Sequence, residues 1–190
     1  KQNLIGKTFL YIFDGQYIEV MFKTKDFKHL TGVDTNLPAQ EFYKLALKNQ
    51  LQAKQIYFSS RHPYSLAQRK LAHLSDISGL AMGESFILKD ISTQTETYKF
   101  GTTDLKFTVC FNKETDETGA DKGSCFIAKS LRDEDCFSRS KDVHIISHIF
   151  IKQNDEKKYK CELYHEKNTS ISDLPENIKE LLSPELTEKI

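Results

Sequence analysis

Residues 8–22 have the sequence TFLYIFDGQYIEVMF, and this stretch decides the fold class. Residues 8–13 and 17–22 are rich in aromatic and β-branched side chains, which favour strands. Asp14-Gly15 lies between them and is a strong hairpin signal, because glycine adopts the positive φ that tight hairpin turns require. The sequence therefore predicts that the chain opens with a β-hairpin.

After the hairpin, apolar residues recur at helical spacing. Pro38 suits the first turn of a helix because it has no amide hydrogen to lose, and the pattern continues to about residue 56. A second helix is predicted after Pro63, ending before Gly79. We also expect a short amphipathic helix at residues 173–182, where four apolar side chains fall on one stripe.

The remaining chain has mainly the patterns of strands. Alternation is clearest at Leu105, Phe107, Val109 and Phe111, which would line one face of a strand. Consecutive strands with short links favour an antiparallel sheet. The predicted fold class is α+β, an N-terminal β-hairpin and helices packed on an antiparallel sheet with a short C-terminal helix, in a single domain over residues 1–190. Strands are predicted at residues 84–91, 97–111, 124–131, 143–152 and 158–165, with loops at residues 112–123 and 132–142.

Composition permits a core but leaves the partner open. The 190 residues are 38% hydrophobic and 11% aromatic, with 27 basic and 27 acidic side chains. Residues 1–70 carry 11 Lys/Arg against 5 Asp/Glu, and residues 71–190 carry 16 against 22. The first part could face a polyanion, which permits contact with a nucleic acid but does not demand it. The alternative is that the two parts interleave in space, so that the asymmetry disappears.

Several functional classes lack their sequence signals. There is no glycine-rich nucleotide loop, nucleophile elbow or apolar run of the ~18 residues that a spanning helix needs. His144 and His148 on one strand would be about 13 Å apart, too far for one ion. The chain begins with Lys1 rather than Met, which indicates a trimmed or processed start. We expect no cofactor, metal or membrane anchor, and a cytoplasmic protein with reduced thiols at Cys110, Cys125, Cys136 and Cys161.

Residues 27–32, with the sequence FKHLTG, are the best candidate for chemistry. They lie between a strand and a helix, and His29 and Thr31 would point to the same side if the backbone were extended. The alternative is structural, with Phe27 and Leu30 in the core, His29 as a hydrogen-bonding residue and the glycine as a turn former.

This segment and two later ones carry a family resemblance. Residues 26–32 (DFKHLTG), 126–131 (FIAKSL) and 157–159 (KKY), in this order, resemble the phage-type branch of the barnase/EndoU/colicin/RelE-like superfamily of predicted nucleases. Ala128 replaces the usual proline of that family. The resemblance implies a fold whose sheet face and early loops bind and cut RNA without a metal, usually as a toxin or effector encoded by a phage or mobile element.

Metal-free RNA cleavage needs a base for the ribose 2′-OH, a cation for the phosphorane charge and an acid for the 5′-oxygen. His29 is the expected base or acid, Lys129 and Arg132 the cations, and Thr31 and Ser130 the groups that orient phosphate oxygens. Lys129 and Ser130 would point to opposite faces of their strand unless a bulge or strand end intervenes. Arg61 and His62 are expected to bind substrate, although such an exposed pair is often incidental.

A second hypothesis is a non-catalytic interaction module on the same fold, for example an inhibitor of a host protein. The acidic residues 133–135 and the amphipathic tail would suit such a role, although acidic runs are usually just solvated loops. The predicted partners are RNA and a cognate antitoxin, immunity or host protein.

Overall fold

The computed structural model describes residues 3–188 of the chain. Within this part, nine strands form one sheet in the order β11-β10-β1-β2-β8-β7-β6-β5-β9, and β3 pairs with β4 in a small second sheet. The strands are β1 (Lys7–Phe13), β2 (Gln16–Met21), β3 (Asp34–Thr35), β4 (Ile56–Tyr57), β5 (Phe86–Ser92), β6 (Thr97–Thr103), β7 (Thr108–Thr115), β8 (Asp121–Arg132), β9 (Asp142–Ile145), β10 (His148–Gln153) and β11 (Cys161–His165). The α-helices are α1 (Phe27–Thr31), α2 (Ala39–Leu47), α3 (Tyr64–His73), α4 (Ile77–Leu80), α5 (Glu176–Lys179) and α6 (Pro184–Thr187).

The large sheet is antiparallel except at one junction, where β2 and β8 run parallel over two residue pairs. The prediction of a mixed α+β fold with a mainly antiparallel sheet is confirmed. β1 and β2 form an antiparallel hairpin around Asp14-Gly15, but its expected arrangement is not confirmed, because both strands lie within the sheet, flanked by β10 and β8, rather than packing on it.

Strand β1 explains why residues 8–13 are apolar without alternation. Phe9, Tyr11 and Phe13 belong to the main core, whereas Leu10 and Ile12 belong to a second core on the opposite face. A strand that is covered on both faces needs apolar side chains at every position. The second core also includes Phe150, Tyr159, Leu174, Ile178 and Leu182, so the C-terminal segment covers the back of the sheet.

Three predicted elements are shorter than expected. The helix predicted at residues 38–56 ends at Leu47, because Asn49 has a φ of 56°, in the left-handed region that interrupts a helix. The strand predicted at residues 97–111 is two strands, and Leu105 lies exposed at the turn between them with a φ of 76°. In the tail, α5 begins only after Pro175, since the residue before a proline avoids the helical region.

Two other boundaries also differ. The loop predicted at residues 112–123 is mostly strand, since β7 and β8 continue into a hairpin that turns at residues 116–120. The strand predicted at residues 143–152 is interrupted at residues 146–147, between β9 and β10. The four cysteines are free, and within residues 3–188 every helix is too short or too polar to traverse a lipid bilayer.

Candidate functional site

Helix α1 positions His29. It is a single short helix that follows β2 and ends at Gly32, whose φ of 71° is the left-handed conformation that suits a glycine after a helix. A Cβ at this glycine would come within 2.8 Å of Lys70 Cδ, so the close approach of α3 also requires glycine. Leu30 is buried and faces the core, which leaves His29 exposed on the outer side of α1.

The prediction that His29 and Thr31 point to the same side of the chain is wrong. Residues 27–31 are helical rather than extended, and positions two apart on a helix do not face the same way. Thr31 is buried, and its hydroxyl donates to the carbonyl oxygen of Lys28 at 2.7 Å and accepts from the amide of Val33 at 3.4 Å. The side chain of Thr31 therefore holds the end of α1 together.

Partial burial, helped by neighbouring lysines, keeps the imidazole of His29 neutral. Partial burial of the ring is the largest cause of a lowered pKa, and the positive charge of Lys28 lowers that pKa further. Asp26 raises the pKa of His29 and Lys129 lowers it. At neutral pH the ring is therefore unprotonated and available as a base.

A β-bulge places Lys129 beside α1. In the pairing of β7 with β8, Cys110 lies opposite Ser130 and Phe111 lies opposite Ala128, so Lys129 is the extra residue. Its Nζ lies 3.1 Å from Oδ1 of the buried Asp26, directly before α1. The strict alternation that would separate Lys129 from Ser130 therefore does not hold here.

Arg132 lies at the end of β8 among hydroxyl groups. Its Nη2 donates to Thr93 Oγ1 at 3.2 Å and to the Tyr98 hydroxyl at 3.1 Å, and its guanidinium carbon lies 5.6 Å from the centre of the Tyr98 ring. The Tyr98 hydroxyl also forms hydrogen bonds with Ser130 and Glu96. Ser130 and Arg132 thus meet in one polar cluster at the turn between β5 and β6.

Lys70 is a site residue that the sequence analysis missed. It is buried in α3, and its Nζ donates to the carbonyl oxygen of His29 at 3.3 Å. Burial is the main cause that lowers the pKa of Lys70 to about 8, and the charge of Arg132 adds to it. A signal was present: Ala67, Lys70 and Leu74 lie on one helical stripe, and a lysine between apolar residues on an inward face is unusual.

His29, Lys70, Lys129 and Arg132 are linked by charges that shift the pKa values of His29 and Lys70. The charge of Lys129 acts on His29, that of Arg132 acts on Lys70, and Glu96 acts on both. We call His29, Lys70, Lys129 and Arg132 the basic site. It combines a neutral imidazole, exposed to solvent, with three cations, and these supply two of the requirements of phosphodiester cleavage, the base and the positive charge.

Arg61 and His62 lie outside the basic site, beside the small sheet. His62 Nδ1 is 2.8 Å from Asp34 Oδ1, and Ser59 Oγ donates to Asp34 Oδ2 at 2.7 Å. The Ser59 hydrogen bond is the main cause that lowers the pKa of Asp34, and the charge of Lys28 contributes. Arg61 is exposed.

Among the residues that the structure describes, the His, Cys, Asp and Glu side chains form no group of three or more that could hold a metal ion. His144 Nδ1 instead lies 2.6 Å from Asp14 Oδ2, and His148 is buried on β10.

The fold and the basic site together define a class. An exposed imidazole near lysine and arginine side chains supplies the base and the positive charge that cleavage of a phosphodiester uses. The chain belongs to the family described as phage-Barnase-EndoU-ColicinE5/D-RelE like nuclease 4 (PBECR4), whose model matches residues 1–168. This match confirms the resemblance, includes the whole basic site and ends before α5. Comparison with curated proteins and with solved structures gave no match.

Proposed function

We propose that the chain is a metal-independent endoribonuclease of toxin or effector type, encoded by a phage or mobile element. The family supplies the nuclease class and the phage association. One observation carries the choice of RNA: an imidazole exposed to solvent and held neutral lies within reach of the charges of Lys28 and Lys129, and Lys70 donates to the carbonyl oxygen of the same residue. Such a base can activate the ribose 2′-OH, which RNA carries and DNA lacks.

In the proposed reaction, His29 removes the proton from the 2′-OH, whose oxygen then attacks the neighbouring phosphorus. Arg132 and Lys129, whose ammonium group also pairs with Asp26, stabilise the negative charge of the phosphorane, and the buried charge of Lys70 adds to the local positive potential. The bond to the 5′-oxygen breaks, and this oxygen takes a proton from water. The products are a 2′,3′-cyclic phosphate and a 5′-hydroxyl.

Thr31 has a structural role in this proposal. Its hydroxyl is buried and bonded to the backbone, so it is not available to a phosphate. Ser130 is also buried and acts by positioning Tyr98 and, through it, Arg132. The proposed catalytic residues are therefore fewer than the five that the sequence predicts.

The interaction-module hypothesis gains no support from the surfaces that suggested it. Asp133 Oδ1 lies 2.7 Å from His73 Nε2, and Glu134 Oε2 lies 2.9 Å from Arg139 Nε. Ile178 in the tail is completely buried against the sheet. Both surfaces are thus used within the fold, so we propose the nuclease.

We further propose that the single domain over residues 1–190 acts in the cytoplasm, where RNA substrates are present. A protein that cleaves cellular RNA harms its own cell unless it is inhibited. A cognate antitoxin or immunity protein is therefore a proposed partner, together with RNA.

The test is cleavage of total RNA and of transfer RNA, separately, in the presence of EDTA. We expect cleavage by the wild type, fragments that end in 2′,3′-cyclic phosphate, and resistance of the same sequence made with 2′-O-methyl ribose. His29→Ala should reduce cleavage by at least 100-fold, the order of a general-base contribution. Its melting temperature should remain close to that of the wild type, because the side chain is exposed.

His165→Ala is the matched control, because His165 is an exposed histidine on β11, outside the basic site. It should cleave RNA at the wild-type rate. Equal activity of His29→Ala and the wild type would refute the proposal. A large drop in the melting temperature of His29→Ala would instead assign His29 a structural role.

A further inference from the structure

Three aromatic side chains are exposed in the small sheet and in the segment that follows it. Tyr57, Phe58 and Tyr64 have exposed fractions of 53%, 44% and 63%. The rings of Phe58 and Tyr64 are 5.2 Å apart at an interplanar angle of 84°. We call these three residues the aromatic platform. Leaving them in water forgoes the free energy that burial of large apolar side chains provides, and contiguous exposed apolar groups commonly mark a binding site.

Hydrogen bonds fix the backbone that carries the platform. Tyr57 lies opposite Asp34 in the pairing of β3 with β4, and Asp34 accepts hydrogen bonds from Ser59 and from the ring of His62. Ser59 also bonds to His62 twice, through the amide of His62 to its hydroxyl and through its own amide to the carbonyl of His62. A loop closed in this way holds aromatic rings in place, so a ligand that stacks on them loses little conformational entropy.

Helix α3 connects the platform to the basic site. Tyr64 is the first residue of α3, and Lys70 lies six residues further on, a rise of about 9 Å along the helix axis. Lys70 in turn donates to the carbonyl of His29. The first residue of α3 therefore belongs to the platform, and the middle of the same helix contacts α1, which carries His29.

The charges near the platform suit a polyanion. Arg61 is exposed and lies between Phe58 and Tyr64 in the sequence, and the charge of Lys28, next to His29, reaches Asp34. The carboxylate of Asp34 is bonded to Ser59 and His62, so it does not face the platform as a free negative charge. Lys28 and Arg61 thus supply positive charge next to His29 and in the platform segment, the two places where an RNA strand would make contact.

We propose that Tyr57, Phe58 and Tyr64 stack against the unpaired bases of single-stranded RNA, next to the nucleotide that is cleaved at His29. Arg61 contacts the phosphate backbone between them. This inference rests on the proposed function and specifies its substrate as single-stranded RNA. Stacking on aromatic rings requires unpaired bases, because the faces of paired bases are covered by their neighbours in the duplex.

The experiment uses the full chain with His29→Ala, so that RNA is bound without being cleaved. Binding of a fluorescein-labelled 12-nucleotide single-stranded RNA and of the duplex of the same sequence is measured by fluorescence anisotropy. Adding Tyr57→Leu and Tyr64→Leu should weaken single-strand binding about tenfold or more, as expected for lost base stacking, and leave duplex binding unchanged. Leucine keeps an apolar side chain at each position, and thermal melts check that the variants fold.

Tyr17→Leu is the matched control, because Tyr17 is an exposed aromatic residue on β2, outside the platform. It should leave both affinities unchanged. In the catalytic background that keeps His29, the two platform substitutions should raise KM for single-stranded RNA and leave kcat unchanged, because stacking away from the scissile bond contributes to substrate binding.

The outcomes separate this inference from the proposed function. If the wild type cleaves RNA and the platform variants bind single strands as tightly as their parent, the platform inference is overturned and the nuclease proposal remains. The same conclusion follows if single-strand and duplex binding weaken equally. If the wild type neither cleaves nor binds RNA, the proposed function fails, and the platform inference fails with it.

Discussion

His29 is an imidazole whose pKa depends on its neighbours, and this makes its role measurable. Its pKa lies below the usual 6.5, mainly because the ring is partly buried and secondarily because of Lys28. If His29 acts as the base, kcat/KM should rise with pH through that lowered pKa and level off above it. The pH profile of RNA cleavage would thus have an acid limb with its midpoint below 6.5.

Changing Lys28 should move this limb in a defined direction. Lys28→Gln removes a positive charge that lowers the pKa of His29, so the pKa rises and the limb moves to higher pH. Lys48→Gln is the control, since Lys48 is an exposed lysine that is not among the charges acting on His29. A shift of the Lys28→Gln limb to lower pH would contradict the role of His29 as base.

The buried lysine of the basic site predicts a pH-dependent stability. In the folded state the pKa of Lys70 is about 8 instead of 10.5, so the unfolded state binds more protons between these two pH values. The free energy of unfolding should therefore gain up to about 3 kcal/mol from this group as the pH rises from 8 to 10.5. Below pH 8 the cost of the buried charge is fully present.

Lys70→Met should remove this contribution, because methionine fills a similar volume without a charge. Urea unfolding of both proteins from pH 7 to 10.5 gives the difference, in which other titrating groups cancel. We expect Lys70→Met to be the more stable protein at pH 7 and to lose that advantage above pH 10. Parallel stability curves would show that Lys70 is not desolvated.

Among the secondary-structure elements, the C-terminal segment stabilises the fold by packing on the back of the sheet. Ile178 is completely buried in the second core, against Leu10, Ile12 and Phe150 of the sheet. Ile178→Ala should therefore lower the free energy of unfolding by about 2–5 kcal/mol, the range for such truncations in a core. Glu176→Ala, in the same helix but with an exposed side chain, should change it by less than about 0.5 kcal/mol. Equal stability of the two variants in urea unfolding would mean that the tail does not dock.

The secondary-structure elements also show which parts of the fold the sequence could predict. The apolar run at residues 8–13, Asp14-Gly15 and the strand patterns after residue 84 are local signals, and they predicted the α+β class and the mainly antiparallel sheet. The bulge at Lys129 and the left-handed Asn49 depend on tertiary pairing or on a single backbone angle, for which no periodicity exists. The helical form of residues 27–31 was missed because five residues are too few to show a period.

At the scale of the whole molecule, the charge asymmetry of the sequence does not persist as two separate regions. Lys28 and Lys70 come from the basic first part of the chain, whereas Lys129 and Arg132 come from the acidic second part, and the fold brings them together. His29 was accessible to sequence reasoning because it lies in a short motif. Lys70 was not recognised, since its partner, the carbonyl oxygen of His29, is 41 residues away in the chain.

This assembly predicts how salt affects RNA binding by a chain with no net charge. If Lys28, Arg61, Lys129 and Arg132 neutralise about four phosphates, the logarithm of the association constant should fall with the logarithm of salt concentration with a slope of about −3. Measured on His29→Ala with single-stranded RNA, the slope should become about −2 when Lys28→Gln is added, because one released counterion is lost. Lys160→Gln, at an exposed lysine paired with Glu156, should leave the slope unchanged. A slope steeper than about −6 would require phosphate contacts far beyond these four residues, and a slope near zero would exclude them as phosphate ligands.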